Sequence, residues 1–323
     1  MFIPFISTSS NKRLFRRKGG GGGGRGGGSS GGGDSGGSSG GGSSSGGSRG
    51  GTTGGSSSGS TGARSSVPIS GSTGGRNSAT AYGAGGGKAT SIPSGQLFAG
   101  RTEGGGSRDQ VFGTRTYGSG YPGFSNQRGV AGLGFPFYFW PLVWGGAAFS
   151  GARYLNDNNE YGDANNSSRP GGPLMTATFA SNSTNTTFHL IADNSTTISL
   201  VSSITTNCTS FLATNASSNF TPQPFNPNAT NSPKPEQVVQ YYRASSVSLT
   251  LDGYNDTAAL SDNANGTDTP LPSGIDTNLL DCLNQTIGLA VPLIDGAPSL
   301  VNPVHSMGAM GLLWVIWCLV SML

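Results

Sequence analysis

Two histidines and three cysteines in 323 residues leave little from which to build a catalytic or metal centre. His189 and His305 stand far apart, so neither a Cys/His ligand spacing nor a Ser/His/Asp or Cys/His nucleophile set is legible. Charge is scarce too: Asp, Glu, Lys and Arg make up 10% of the chain and hydrophobic residues 33%, which is not the average of a globular protein. The acid pair Asp157 and Glu160 reads as solvated loop charge rather than acid/base chemistry. The expectation is a protein that is not an enzyme and carries no cofactor and no metal. A leader of ordinary form is also missing, because the apolar run Met1 to Ile6 is too short and the basic cluster follows it.

Glycine is what fills the space, with 57 copies. Residues 1–18 form an atypical basic N-terminus, and 19–107 is a Gly/Ser-rich arm that cannot bury enough apolar surface to offset its chain entropy. Up to Arg128, fourteen Lys and Arg face three acids; beyond it, four face twelve. Arg25-Gly-Gly and Arg49-Gly-Gly invite a nucleic-acid reading, but no aromatic residue is available to stack on bases between Phe15 and Tyr82, so no specific nucleic acid is expected. Anionic glycans or membrane lipid suit these arginines equally well. Two phosphate-binding patterns fail: GAGGGKAT has Ala89 where Ser or Thr should follow the lysine, and GSGYPG runs into Pro122 with no helix after it.

Residues 108–164 form a Gly/aromatic segment. Within it Val130 to Ala152 carries no charge and is long enough to span a bilayer. Pro136, Pro141 and five glycines make a regular helix costly there, so an extended aromatic segment packed on the downstream domain is the favoured reading. A signal anchor is the alternative; it would leave the basic half on the cytosolic side.

From 165 to 290 the chain reads as a small α+β domain. Alternation predicts strands at 174–180, 186–192 and 247–251, with a turn at 181–185. Asp193-Asn194-Ser195 caps a helix whose stripe is Ile198, Val201 and Ile204, running toward Cys208. A Pro/Asn loop covers 217–235, a second helix is expected over 236–244, and a last one over 276–287 carries Cys282. The fold class expected overall is a mostly disordered N-terminal half, a small α+β domain in the C-terminal half and a hydrophobic C-terminal helix.

Acceptor triplets Asn-x-Ser/Thr begin at Asn165, Asn166, Asn182, Asn185, Asn194, Asn207, Asn215, Asn219, Asn228, Asn255, Asn265 and Asn284. Composition alone leads to an expectation of about 5 such triplets between 165 and 284. The twelve present argue for exposure in the lumen of the secretory route. There Cys208 and Cys282 would be free to pair in an oxidising compartment.

Residues 295–323 complete the chain with small residues at Asp295-Gly296-Ala297, a spacer, and the uncharged run Met307 to Leu323. That order matches a glycolipid-attachment signal with Asp295 as the attachment point; a retained tail anchor and a soluble helix are the other readings. The stretches RTYGSGYPGF, GFPFYFWPLVWGG, YLNDNNEYG, SSRPGGPL, YYRASSVSLTLDGYNDTAAL and LDCLNQTIGLAVPL together resemble a group of Gly-rich, glycolipid-anchor-type surface proteins of mushroom-type (basidiomycete) fungi. The resemblance implies a surface location and transfers no activity. The function expected is a non-catalytic cell-surface or cell-wall glycoprotein held to membrane lipid by its tail, with cell-wall polysaccharide or anionic glycans as partners and no protein partner specified. The alternative is an intracellular Gly/Arg-rich RNA-binding or condensate-forming protein on an internal membrane.

Overall fold

A computed structural model describes residues 65–71, 76–121, 129–145, 152–214, 219–261 and 268–295, all within one unit spanning Gly62–Leu323. Two short hairpins come first, β1 (Ser65–Pro68) with β2 (Ser78–Ala81) and β3 (Thr90–Ser91) with β4 (Thr102–Glu103). After the single-turn α1 (Asn158–Tyr161) come β5 (Leu174–Ala180), β6 (Thr187–Asp193), α2 (Asn194–Asn207), β7 (Asn219–Pro224), β8 (Val238–Tyr242), β9 (Val247–Leu251) and α3 (Thr277–Ala290). The last five strands form one antiparallel sheet in the order β7-β5-β6-β9-β8.

Successive strand residues face opposite sides of a sheet, and Tyr241 and Tyr242 show what lies on each. The Tyr242 hydroxyl donates to Asn284 Oδ1 of α3 at 2.8 Å, on the helical side. Tyr241 points the other way, its ring 5.6 Å from Tyr117 and 6.4 Å from Trp144. The sheet is therefore a middle layer, with helices on one face and the aromatic residues Tyr117 and Trp144 on the other. Phe135, Phe137, Trp140, Leu142 and Trp144 are all buried. This segment is not helical, and Leu142 N donates to Ser245 O in the β8–β9 turn.

Four expectations are corrected here. Residues 1–64 lie outside the described residues, but the Gly/Ser-rich arm expected to be disordered over 19–107 is structured at 65–71 and 76–107, which belong to this unit with 108–121. Their order comes from partners rather than from a core of their own: Thr80 and Leu293 exchange backbone bonds of 2.7 and 3.1 Å, and the Arg108 guanidinium donates to the carbonyls of Gly83, Gly288 and Val291. Gly288 matters to that docking. A methyl group there would meet the Phe112 ring at 1.9 Å, so glycine keeps the surface of α3 open to it.

Second, 238–242 is a strand and not part of a helix, because Val-Val-Gln-Tyr-Tyr pairs with β9 and buries both faces of the ribbon. Third, the buried stripe of α2 is Thr196, Thr197, Leu200 and Ile204, while Ile198 is exposed. Asp193 caps this helix through Thr196 N at 2.9 Å, and that cap fixes its rotational phase.

Fourth, no helix among the described residues is long and apolar enough to cross a membrane. Of the apolar run beginning at Val130, residues 135–145 are buried in the core, 131–133 are exposed, and 146–151 lie outside the described residues. The expected hydrophobic helix at 307–323 also falls outside them. The membrane tether shared by both expected functions thus has no support, and neither tethered reading is retained.

The N-terminus of α3 is fastened to the β5–β6 hairpin. Asp276 accepts from Leu279 N at 3.0 Å, from Ser181 Oγ at 2.6 Å and from Ser183 Oγ at 3.0 Å. Burial pushes this carboxyl up, but those bonds outweigh it and hold the pKa below the ordinary value. A carboxylate with a depressed native pKa stabilises the fold above its unfolded value, near 3.9, and loses that contribution as pH falls through the native value. Asp276→Ala should cost about 1 to 2 kcal/mol at pH 7 in urea unfolding. The deficit relative to wild type should shrink below about pH 4, where wild type loses the same bonds.

Candidate functional site

Cys208 follows the last residue of α2, and Cys282 lies on the neighbouring α3. The two are joined by a disulfide, with Cα atoms 5.8 Å apart, which is the pairing expected from the sequence. Acceptor asparagines stand beside both cysteines, Asn207 immediately before one and Asn284 two residues after the other.

Ten of the twelve acceptors are described; Asn215 and Asn265 lie outside those residues. Asn182 and Asn185 are on the β5–β6 turn, Asn194 and Asn207 at the two ends of α2, Asn219 at the start of β7 and Asn255 beyond β9. Asn165 and Asn166 precede β5, Asn228 follows β7, and Asn284 is on α3. None is buried: seven are exposed, and Asn166, Asn194 and Asn284 are half-buried. Some amide nitrogens are already donors, Asn182 Nδ2 to Ser210 O and Asn207 Nδ2 to Ser203 O, both at 2.8 Å. A glycosylated amide keeps one N–H, so these bonds and a sugar are compatible.

Asp295 closes the described part of the chain. Its carboxylate accepts from Gly85 N at 2.5 Å, and its backbone bridges to Gly86. The half-buried Asp295 is thus docked on the Gly-rich segment. Arg108 lies within its field: burial lowers the guanidinium pKa to about 10, against the pull of Asp295, so it remains a cation at neutral pH. Residues 296–323 are outside the described range.

A cavity of about 540 Å³ opens where three loops meet, at Val143 and Gly145, at 158–165 and at 224–228. Asn158, Asn165, Asn226 and Asn228 line it with amides, Phe225 and two prolines add apolar surface, and among the described residues Asp163 is the single ionisable one in the lining. Asn158 Nδ2 donates to Asp163 Oδ1 at 2.5 Å, which orders that wall.

One polar chain was invisible in the sequence. Cross-strand register sets Thr178 opposite His189, with Thr178 Oγ1 3.1 Å from His189 Nδ1, while His189 Nε2 lies 3.0 Å from Asp252 Oδ1. Such a hydroxyl–imidazole–carboxylate chain has the order of a nucleophile relay, yet none of the three lines the cavity. Asp252 is about half exposed, with 53% of its side-chain surface open, so its pairing with His189 contributes little stability. Nothing in the spacing 178, 189, 252 announces the chain, since only strand register assembles it.

Among the described residues no group of three or more His, Cys, Asp or Glu is placed to hold a metal ion. Searches of protein-family models, of curated proteins and of solved structures find nothing that matches this chain.

Proposed function

We propose that this chain is a non-catalytic glycoprotein of the secretory route, whose disulfide-linked α/β unit serves as a rigid platform for N-glycans. The observation that carries this reading is the placement of the acceptors: ten are described, they sit on helices, strands and loops between Asn165 and Asn284, and none is buried. An asparagine must be reachable to be modified, and a glycan is bulky and solubilising, so an unburied acceptor set suits that role. The Cys208–Cys282 bond adds a second support, because such bonds persist in oxidising compartments. The partner class that fits a sugar-coated, weakly charged surface is extracellular polysaccharide, including that of a cell wall. The basic stretch before Arg128 suits anionic glycans.

The test is secretion of the full chain from a eukaryotic host, followed by enzymatic removal of N-glycans in heavy-oxygen water and peptide mapping. Isotope-marked conversion of Asn to Asp at several of the twelve positions is the expected result. A polypeptide whose mass the enzyme leaves unchanged would sink the proposal.

A further inference from the structure

Asn165 and Asn228 are not only acceptors; both residues line the 540 Å³ cavity. A sugar attached at either position begins at the cavity wall. The volume lies within the range of small-molecule sites, roughly 300 to 1,000 Å³. Its chemistry suits a neutral saccharide. Amides offer both donors and acceptors to hydroxyl and acetamido groups, Pro224 and Pro227 offer apolar surface to C–H faces, and among the described residues no basic side chain lines the cavity to call for an anion.

The two acceptors differ in their surroundings. Asn165 overlaps the triplet of Asn166 next door, whereas Asn228-Ala229-Thr230 stands alone. The root of Asn228 is also held in place: its N–H donates to Asn226 Oδ1 at 3.0 Å, and Ala229 N donates to Asn226 O at 3.1 Å. Gly145 faces it across the wall. A methyl group there would stand 3.4 Å from Pro227 and 3.7 Å from Asn228 Oδ1, and at φ +140° an L side chain is disfavoured, so the space beside the Asn228 carboxamide stays open.

We propose that the first sugars of an N-glycan on Asn228 are seated in this cavity, packed between the Asn158–Asp163 wall and the 224–228 loop. The inference rests on the glycoprotein reading above. Attachment removes the need for high affinity, because a short tether sets an effective concentration near the millimolar range and even a weak saccharide contact is then populated. The glycan so held joins three loops distant in sequence, and the same residues would exclude a second glycan on Asn165 from the cavity.

Native deglycosylation of the secreted full chain, resolved by site, tests this. The Asn228 glycan should be released roughly tenfold more slowly than those of Asn182 and Asn255, as a dock occupied about ten to one implies. The variant Asn158→Ala/Asp163→Ala should bring the Asn228 rate up to theirs, while an unchanged Asn182 rate in the same sample shows that the fold is retained. Should the double variant disturb the fold, Asn158→Ala alone carries the same comparison. Release of the Asn228 glycan as fast as the others, or protection that survives both variants, overturns the seat. A bare Asn228 beside occupied neighbours overturns it too and leaves the glycoprotein reading standing; a chain bare at every site overturns both.

Discussion

Replacing both Cys208 and Cys282 by alanine is expected to cost about 4 kcal/mol, a large share of the roughly 5 to 15 kcal/mol that holds a domain folded. The estimate follows from the length of chain the bond closes. The cysteines are 74 residues apart, and the loop-entropy relation for that length gives about 4.5 kcal/mol before any strain or residual structure is subtracted. The cost should be felt across the unit, because the closed loop contains β7, β8 and β9 and the bond joins the two helices that cover one face of the sheet. In a unit of this size the melting temperature should fall by roughly 10 °C or more. Cys208 is fully buried and Cys282 half-buried, so dithiothreitol should reach the native bond from the Cys282 side alone and reduce it more slowly than in the urea-unfolded protein. Melting of the double variant within a couple of degrees of wild type would mean that packing of α2 on α3 suffices without the bond.

What the sequence disclosed and what it hid follow one physical division. Strands 174–180 and 247–251 and the helix carrying Cys282 were legible because each is amphipathic or wholly buried on its own pattern, and the cap residues Asp193 and Asp276 mark helix starts. The segment 238–242 misled because Pro235, Glu236 and Gln237 imitate a first helical turn; they do form a single 3-10 turn before the strand begins. The edge strand β7 was hidden by Pro222 and Pro224, which an edge tolerates and a central strand does not.

In the Gly-rich region from 76 onward composition misleads for a different reason. Composition measures the core a segment can make for itself, and this one borrows its core. Phe98 sits edge-on to Phe135 and Trp140, with ring centroids 4.9 Å from each. Arg108 completes the attachment by donating to the carbonyls of Gly83, Gly288 and Val291. Arg169 fastens the aromatic segment in the same manner: fully buried and with its pKa lowered to about 10 by burial, it is still a cation at neutral pH and reaches Tyr161 O, Trp140 O and Pro141 O. For the candidate sites the split is the same: acceptor triplets and cysteine pairing are local or countable, whereas the cavity and the Thr178–His189–Asp252 chain exist only once distant segments meet.

Arg243→Met is expected to destabilise the unit by about 3 to 5 kcal/mol, the range seen when one partner of a buried ion pair is removed. Arg243 and Asp193 are buried, with Nη2 2.5 Å from Oδ2. The guanidinium does more than neutralise. It donates to Thr196 Oγ1 and Pro292 O at 2.9 Å and to Ser246 Oγ at 2.8 Å, and it lies 3.5 Å from the centroid of the Phe139 ring. One side chain thus ties together the start of α2, the segment after α3, the aromatic layer and its own turn. That turn needs tying, because Arg243, Ala244 and Ser245 all have positive φ, a conformation that costs non-glycine residues about 1 to 2 kcal/mol each. Such strain persists only where surroundings over-determine it. A double-mutant cycle separates the two contributions. Asn at 193 can still cap α2, so if the stranded carboxylate dominates, Asp193→Asn/Arg243→Met should recover roughly half of the loss in urea unfolding. If the double variant is as unstable as the two single losses added together, the charge is not the origin. The role of Arg243 is then to hold the left-handed turn against the aromatic layer, and Ala244→Gly in the Arg243→Met background should restore about 1 kcal/mol by relieving that turn.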